Sequence, residues 1–143
     1  SSFNTYGSAI RYSDASIFMC LNHIDYDNDI FPHNKYKLIE NNISELVNHF
    51  NKKFIKNENM IGRYCNDKYF DGKIWIICTI SLLSFYKFNR FYLTEHIEDI
   101  IFNKIKSLGN FNLAEQYNPD EDKFYSAKQL TWNYSEIYFY LSI

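Results

Sequence analysis

The chain is short of the residues that build turn-rich or cross-linked folds. Four glycines and two prolines in 143 residues argue against a β-sandwich with its many tight turns, and against collagen-like or disordered chains. Three cysteines, Cys20, Cys65 and Cys78, are an odd number at wide spacing. They make neither a disulfide framework nor a C-x-x-C pattern, and are expected as two buried thiols and one beside a loop. The histidines (His23, His33, His49, His96) are scattered with no two at i,i+4, so no metal site is expected. Charge is nearly balanced at −2 with a pI near 6.1, which leaves no basic field for nucleic acid or an anionic membrane surface. No run of about 18 uncharged apolar residues exists, and mean hydropathy is −0.40, so no membrane-spanning helix is expected. The chain opens Ser1-Ser2-Phe3-Asn4, without Met or an apolar leader. The expectation is a removed leader or a piece of something longer.

Aromatics are what the chain has in excess. Thirteen Tyr, thirteen Phe and two Trp make 20% of it, enough for a large core in a chain of one-domain length. Asn-Ile-Ser at 42–44 and Asn-Tyr-Ser at 133–135 match the glycosylation pattern and are read as chance in an Asn-rich chain.

The periodicity predicts helices. Ser13-Asp14 stands as an N-cap before Ile17, Phe18 and Leu21, followed by a polar connection over 25–32. Ile39, Ile43, Leu46, Val47, Phe50 and Phe54 form an amphipathic stripe, with Glu40, Glu45, Lys52 and Lys53 off it. Residues 74–88 are apolar almost all round, which fits a buried helix with a strand as the alternative. Thr94-Glu95 begins a helix striped by Ile97, Ile100, Ile101, Ile105 and Leu108, ended by Gly109. Ser126 is the expected N-cap of a last helix burying Leu130, Tyr134, Ile137, Tyr138 and Leu141. An alternation of helices buried all round and helices striped on one face suggests a curved or closed helical array rather than a four-helix bundle.

Two long segments, 57–73 and 110–125, break the helical pattern. Loops of about 16 residues are uncommon inside a compact domain and usually functional. The first holds Arg63 with its planar fork of donors and Asp67 four positions on, among Tyr64, Tyr69, Phe70 and Trp75. A pyranose needs this mixture of directional bonds to hydroxyls and a flat apolar face beneath its C–H groups. The plainer alternative is a surface ion pair worth at most about 1 kcal/mol, with the rings tucked into core. The second segment holds Glu115, flanked by Leu113, Ala114 and Tyr117, where partial desolvation suits a general acid or base. Asp120, Glu121 and Asp122 read as a solvated turn.

Leu113-Ala114-Glu115-Gln116-Tyr117-Asn118, then Ser126-Ala127 and Leu130-Thr131-Trp132-Asn133-Tyr134, resemble the carboxy-terminal signature of the glucoamylases, glycoside hydrolase family fifteen. Gly62-Arg63-Tyr64, Asp67, Tyr69, Gly72 and Trp75 resemble that family's other loop motif, in the same order, and Cys78-Thr79 is similar to some members. The likeness runs from about residue 60 to the end, with a weaker stretch over 13–23. Cys65-Asn66 stands where the family usually has Pro-Glu, and Lys73-Ile74 where it has Asn-Pro. Both changes remove proline stiffening from the loop.

The resemblance implies an all-α fold, part of an (α/α)6 barrel or six-hairpin toroid. Five to six helices of that barrel fit in residues 1–143, the carboxy-terminal portion of the catalytic domain. It implies an exo-acting, inverting glucan 1,4-α-glucosidase that releases glucose from non-reducing ends of starch, glycogen or maltooligosaccharides. Glu115 would be the general base. Arg63 would bond sugar hydroxyls, Tyr64, Trp75 and Trp132 would line the pocket, and Asp67 and Gln116 would brace it. The general acid and the grip on the terminal sugar belong to the family's upstream half, whose motifs are absent from 1–59. That half is therefore the expected partner, together with the α-glucan substrate; no cofactor, nucleic acid or membrane is expected. The alternatives are a trehalase-like or other α-glucosidase of the same fold, and a non-catalytic helical remnant lacking the acid.

Overall fold

In a computed structural model of the chain, residues 13–23, 33–89, 95–108 and 113–143 are described. They form five helices, α1 (Ser16–Leu21), α2 (His33–Lys53), α3 (Ile76–Asn89), α4 (Glu95–Ser107) and α5 (Thr131–Ser142). Three short strands, β1 (Ile74–Trp75), β2 (Gln116–Asn118) and β3 (Lys123–Tyr125), pair antiparallel in the order β1-β2-β3. The expectation of a mainly helical chain holds, and the small sheet is the departure from a purely helical one. β1 takes the first two residues expected in the buried helix, and β2 and β3 lie in the segment expected as loop. Strands of two and three residues leave no period to read, and β1 finds its partner β2 far along the chain.

α3 is the centre of the molecule because it is apolar on every face. Every residue from Ile76 to Tyr86 is buried, and α3 packs most extensively on α5, then on α1 and α4. The stripe on α2 lies where its spacing puts it: Ile39, Ile43, Leu46 and Phe50 are buried, as is Phe54 just past the helix, while Val47 is half-buried at the edge. On α4, Ile101, Ile105 and the following Leu108 are buried. The connection 25–32 and Gly109 lie outside the described residues.

Three local expectations are corrected. α1 begins at Ser16 with Ala15 at the N-cap; the Asp14 carboxylate instead accepts the Ser16 N–H at 2.9 Å, one step earlier in the turn. α5 begins five residues after Ser126, with Leu130 at its N-cap, and Ser126 adopts a left-handed φ of 65°. The face of α5 that meets the core carries Asn133, Ile137 and Tyr140, whereas Tyr134, Tyr138 and Leu141 are exposed. α5 is apolar nearly all round, so apolar spacing does not select a face. The choice falls to Asn133, whose amide donates to the carbonyls of Ala114 at 2.8 Å and Leu113 at 3.4 Å.

Cys20 is exposed on α1, on the face away from the buried Phe18 and Leu21, Cys65 is half-buried and Cys78 buried, so one buried thiol replaces the two expected. Burial pushes the Cys78 thiol well up from its ordinary value. Both glycosylation patterns are occupied by structure. Asn133 is fully buried, and the Asn42 amide donates to the Asp14 carbonyl at 3.0 Å while its oxygen accepts the Asp14 N–H at 2.9 Å. No described helix is long and apolar enough to cross a membrane. Among the described residues no group of His, Cys, Asp and Glu could hold a metal ion.

Candidate functional site

The site is assembled where the two long segments meet the N-terminal end of α3. The first is anchored by the Thr79 hydroxyl, which accepts the Ile61 N–H at 3.0 Å and lies 3.1 Å from the Ile61 carbonyl. Gly62 follows, and only glycine fits there. A Cβ would come within 2.4 Å of the buried Phe50 ring and 2.6 Å of the Lys73 carbonyl oxygen. From the other side the segment is held by residues 13–15: Ala15 N–H donates to the Arg63 carbonyl at 2.7 Å, and Cys65 N–H to the Ser13 carbonyl at 3.3 Å. This bridge of Asp14 to Tyr64 brings residues read as a helix cap into the wall of the site. Its signal is long-range backbone pairing, which no local pattern carries.

Arg63 turns its fork on Asp67, the pairing weighed as the plainer alternative. Its Nε and Nη2 each donate to one Asp67 oxygen at 2.8 Å, a bidentate pair of the strong kind. Asp67 is buried and Arg63 half-buried, so the solvated surface pair is not what forms. The bonds to Asp67 hold the Arg63 guanidinium above its usual pKa. Three rings surround that guanidinium, with centroids 4.5 Å (Trp75), 5.2 Å (Tyr69) and 5.4 Å (Tyr64) from Cζ. Cation–π contacts of this geometry are worth about 0.5–2 kcal/mol each. Burial, and then the Asp67 charge, raise the Tyr64 phenol above its ordinary value.

The second segment is laid against the first by the sheet. Trp75 pairs with Gln116 and Ile74 with Tyr117, while Ile76 N–H donates to the Glu115 carbonyl at 3.2 Å and Glu115 N–H to the Ala127 carbonyl at 2.8 Å. Arg63 and Glu115 are thereby joined by a short chain of contacts. The Tyr69 ring stacks on Arg63, its hydroxyl lies 3.5 Å from Ser126 Oγ, and Ser126 Oγ donates to Glu115 Oε2. Ser126 is therefore a site residue that sequence reading took for a helix cap. Its left-handed backbone is the feature that turns it toward Glu115 instead.

Gln116 and Trp75 face one another on one side of the sheet, since directly opposed strand residues share a face. Trp75 Nε1 and both amide atoms of Gln116 are buried without a hydrogen-bond partner. An unpaired buried polar atom costs about 1–3 kcal/mol, and three of the seven such atoms among the described residues lie together on this floor. Trp132 is not drawn in: it stands at the first turn of α5, 67% exposed. Six of the seven residues nominated from sequence, Arg63, Tyr64, Asp67, Trp75, Glu115 and Gln116, thus share one end of the molecule.

A cavity of about 550 Å³ opens on the other side of the hairpin, lined by Ile55, Lys56, Asn57, Glu58, Lys104, Tyr117, Pro119 and Asp122. None of the nominated residues lines it. Tyr117 alternates with Gln116 along β2 and so faces away from it.

No protein-family model matches the chain, and neither a curated protein nor a solved structure matches it.

Proposed function

We propose that this chain supplies the general-base half of an inverting α-glucan hydrolase, as part of an (α/α)6 toroid whose remaining helices carry the general acid. Glu115 deprotonates a water molecule, which attacks the anomeric carbon as the glycosidic oxygen leaves with a proton from the missing acid. Arg63 presents its remaining N–H groups to sugar hydroxyls. Tyr69, which is exposed, offers the aromatic face, Trp75 lies buried against the guanidinium, and Asp67 fixes the guanidinium plane.

The observation that carries this reading is the continuity from Arg63 through Tyr69 and Ser126 to Glu115. Two motifs about fifty residues apart, each resembling one glucoamylase loop, are paired by a sheet neither motif encodes alone. Further support comes from the unpaired polar atoms of Trp75 and Gln116 and from the half-buried setting of Glu115. The exposed Tyr134, Tyr138 and Leu141 on α5 suit a chain that packs against further helices.

The test is glucose release from maltotriose by the native protein that carries this chain. Glu115→Gln is expected to lower turnover by about 10²–10⁴-fold, the usual worth of acid–base catalysis, with maltotriose binding retained. Near-normal turnover removes Glu115 from its role. Maltotriose binding without turnover in the unsubstituted protein gives the non-catalytic alternative instead.

A further inference from the structure

Lys53 ends α2 with its side chain on the sharpest bend of the first segment. Its Nζ donates to the Asp71 carbonyl, and to the Gly72 carbonyl at 3.0 Å. Phe70, Asp71 and Gly72 are three consecutive left-handed residues, with φ of 46°, 60° and 58°. An L side chain is strained in that region, a phenylalanine most of all. The backbone closes this bend with two bonds of its own, Asp71 N–H to the Lys68 carbonyl at 3.3 Å and Gly72 N–H to the Tyr69 carbonyl at 2.9 Å, and Lys73 Nζ donates to the Phe70 carbonyl at 3.0 Å. Two carbonyls left facing Lys53 repel each other unless a cation lies between them. A Cβ on Gly72 would meet the Asp67 carbonyl oxygen at 2.4 Å and Lys53 Nζ at 3.1 Å, so the bend is closed tightly at this glycine.

This bend sets what lies on either side of it. Before it, Tyr69 N–H donates to Asp67 Oδ1 at 3.0 Å, the same oxygen that takes Arg63 Nη2. The Tyr69 ring then spans Arg63 and Ser126. We propose that Lys53 is a positioning residue: its ammonium holds the Phe70–Gly72 bend and so fixes the Tyr69 ring between Arg63 and the Ser126–Glu115 pair. Sugar affinity at the site then depends on a lysine that touches no sugar. The ligand in this statement rests on the α-glucan reading above; the positioning does not.

The experiment compares Lys53→Met, Lys53→Arg and Lys87→Met in the native protein that carries this chain. Lys87 does the same kind of work elsewhere, donating to the Tyr140 carbonyl at 2.9 Å with its ammonium 4.7 Å from the Tyr140 ring. Lys53→Met is expected to weaken maltotriose binding about ten- to a hundredfold, the scale of misplacing a contact by an ångström. It should also speed hydrogen exchange at the Asp71 and Gly72 amides by about tenfold or more. Lys53→Arg should restore most of both. Lys87→Met should lower the thermal midpoint while leaving maltotriose affinity and those two amides unchanged. The proposal is overturned if Lys53→Met exchanges those amides at the original rate. It is equally overturned if Lys53→Met leaves an observed maltotriose affinity unchanged, or if Lys87→Met weakens that affinity as much. If the unsubstituted native protein binds no maltotriose, the sugar reading fails on its own and the exchange measurement still decides the role of Lys53.

Discussion

Along α3 polar groups are few, and most are settled by close partners. The Thr79 hydroxyl bonds at Ile61 and lies 3.2 Å from the Trp75 carbonyl one turn back, and the Ser81 hydroxyl donates to Glu136 at 3.0 Å. The segments paired over its N-terminal end, 59–75 and 113–130, are built differently. Among the described residues every non-glycine residue with positive φ lies in them: Asn59, Asn66, Phe70, Asp71, Asp122, Ser126 and Gln129. They also hold the unpaired buried atoms of Trp75 and Gln116, and the charge pair Arg63–Asp67. A regular helix satisfies its backbone internally, so its side chains are free to be apolar. A segment without that ladder must recruit partners from afar, and strain collects where those partners are functional groups. Burial alone thus does not distinguish core from site; backbone strain does, whereas unpaired polarity also reaches α3 at Ser84 Oγ.

The most damaging single change is expected where the two kinds of region touch. Gly62→Ala pushes a methyl group into the Phe50 ring and the Lys73 carbonyl oxygen at 2.4 and 2.6 Å. Backbone cannot yield as a flexible side-chain end does, so the cost should reach about 3 kcal/mol, the upper part of the overpacking range. In a chain of this size that lowers the thermal midpoint by about 10 °C, measured by calorimetry. A loss under about 2 °C means that the segment floats over the core, and the contrast between a rigid centre and a strained wall resting on it breaks.

Arg63→Ala comes next. It strands the Asp67 carboxylate, whose side chain is 1% exposed. Breaking a fully buried pair costs about 3–5 kcal/mol, but Arg63 is a third exposed and water can enter in its place, so about 2 kcal/mol is expected. Chemical denaturation should show the loss, and a double substitution with Asp67→Asn should recover part of it. If the single substitution is neutral, the pair is no more than a surface contact, and the wall is held by its rings alone.

How far these features were legible depends on their range along the chain. The α2 stripe and the apolar run of α3 are written in spacings of three and four, and they lie where those spacings put them. The bidentate use of Arg63 by Asp67 was legible because i,i+4 partners are close in almost any compact turn. What was hidden is held by remote partners. Nothing near Asn133 announces that its amide will take two carbonyls of the 113–114 stretch and so decide the buried face of α5. Ser126 has the composition of a helix cap, and only pairing of β2 with β3 reveals it as a partner of Glu115. Trp132 was drawn toward the pocket by its place in the motif, and its exposure follows from the face that Asn133 selects.

The smallest effect expected concerns acid. His49, one turn before Lys53 on α2, has its pKa lowered first by burial and then by the Lys53 charge. Its folded value lies below the ordinary 6.5, so as pH falls the unfolded chain takes up the proton first. Stability then decreases with falling pH from about 6.5 down to the folded value, and the contribution is absent above that window. His49→Gln removes it. Across pH 7 to 5 the thermal midpoint of the substituted chain should therefore fall less steeply than that of the original, with the two matching in slope above pH 7. Carboxylates elsewhere contribute equally to both chains and cancel in the difference. Identical slopes throughout would mean that His49 titrates in water on both sides of the transition. The charge of Lys53 would then be confined to the carbonyls of the bend it holds, and the strained wall would be electrically separate from the helix that supports it.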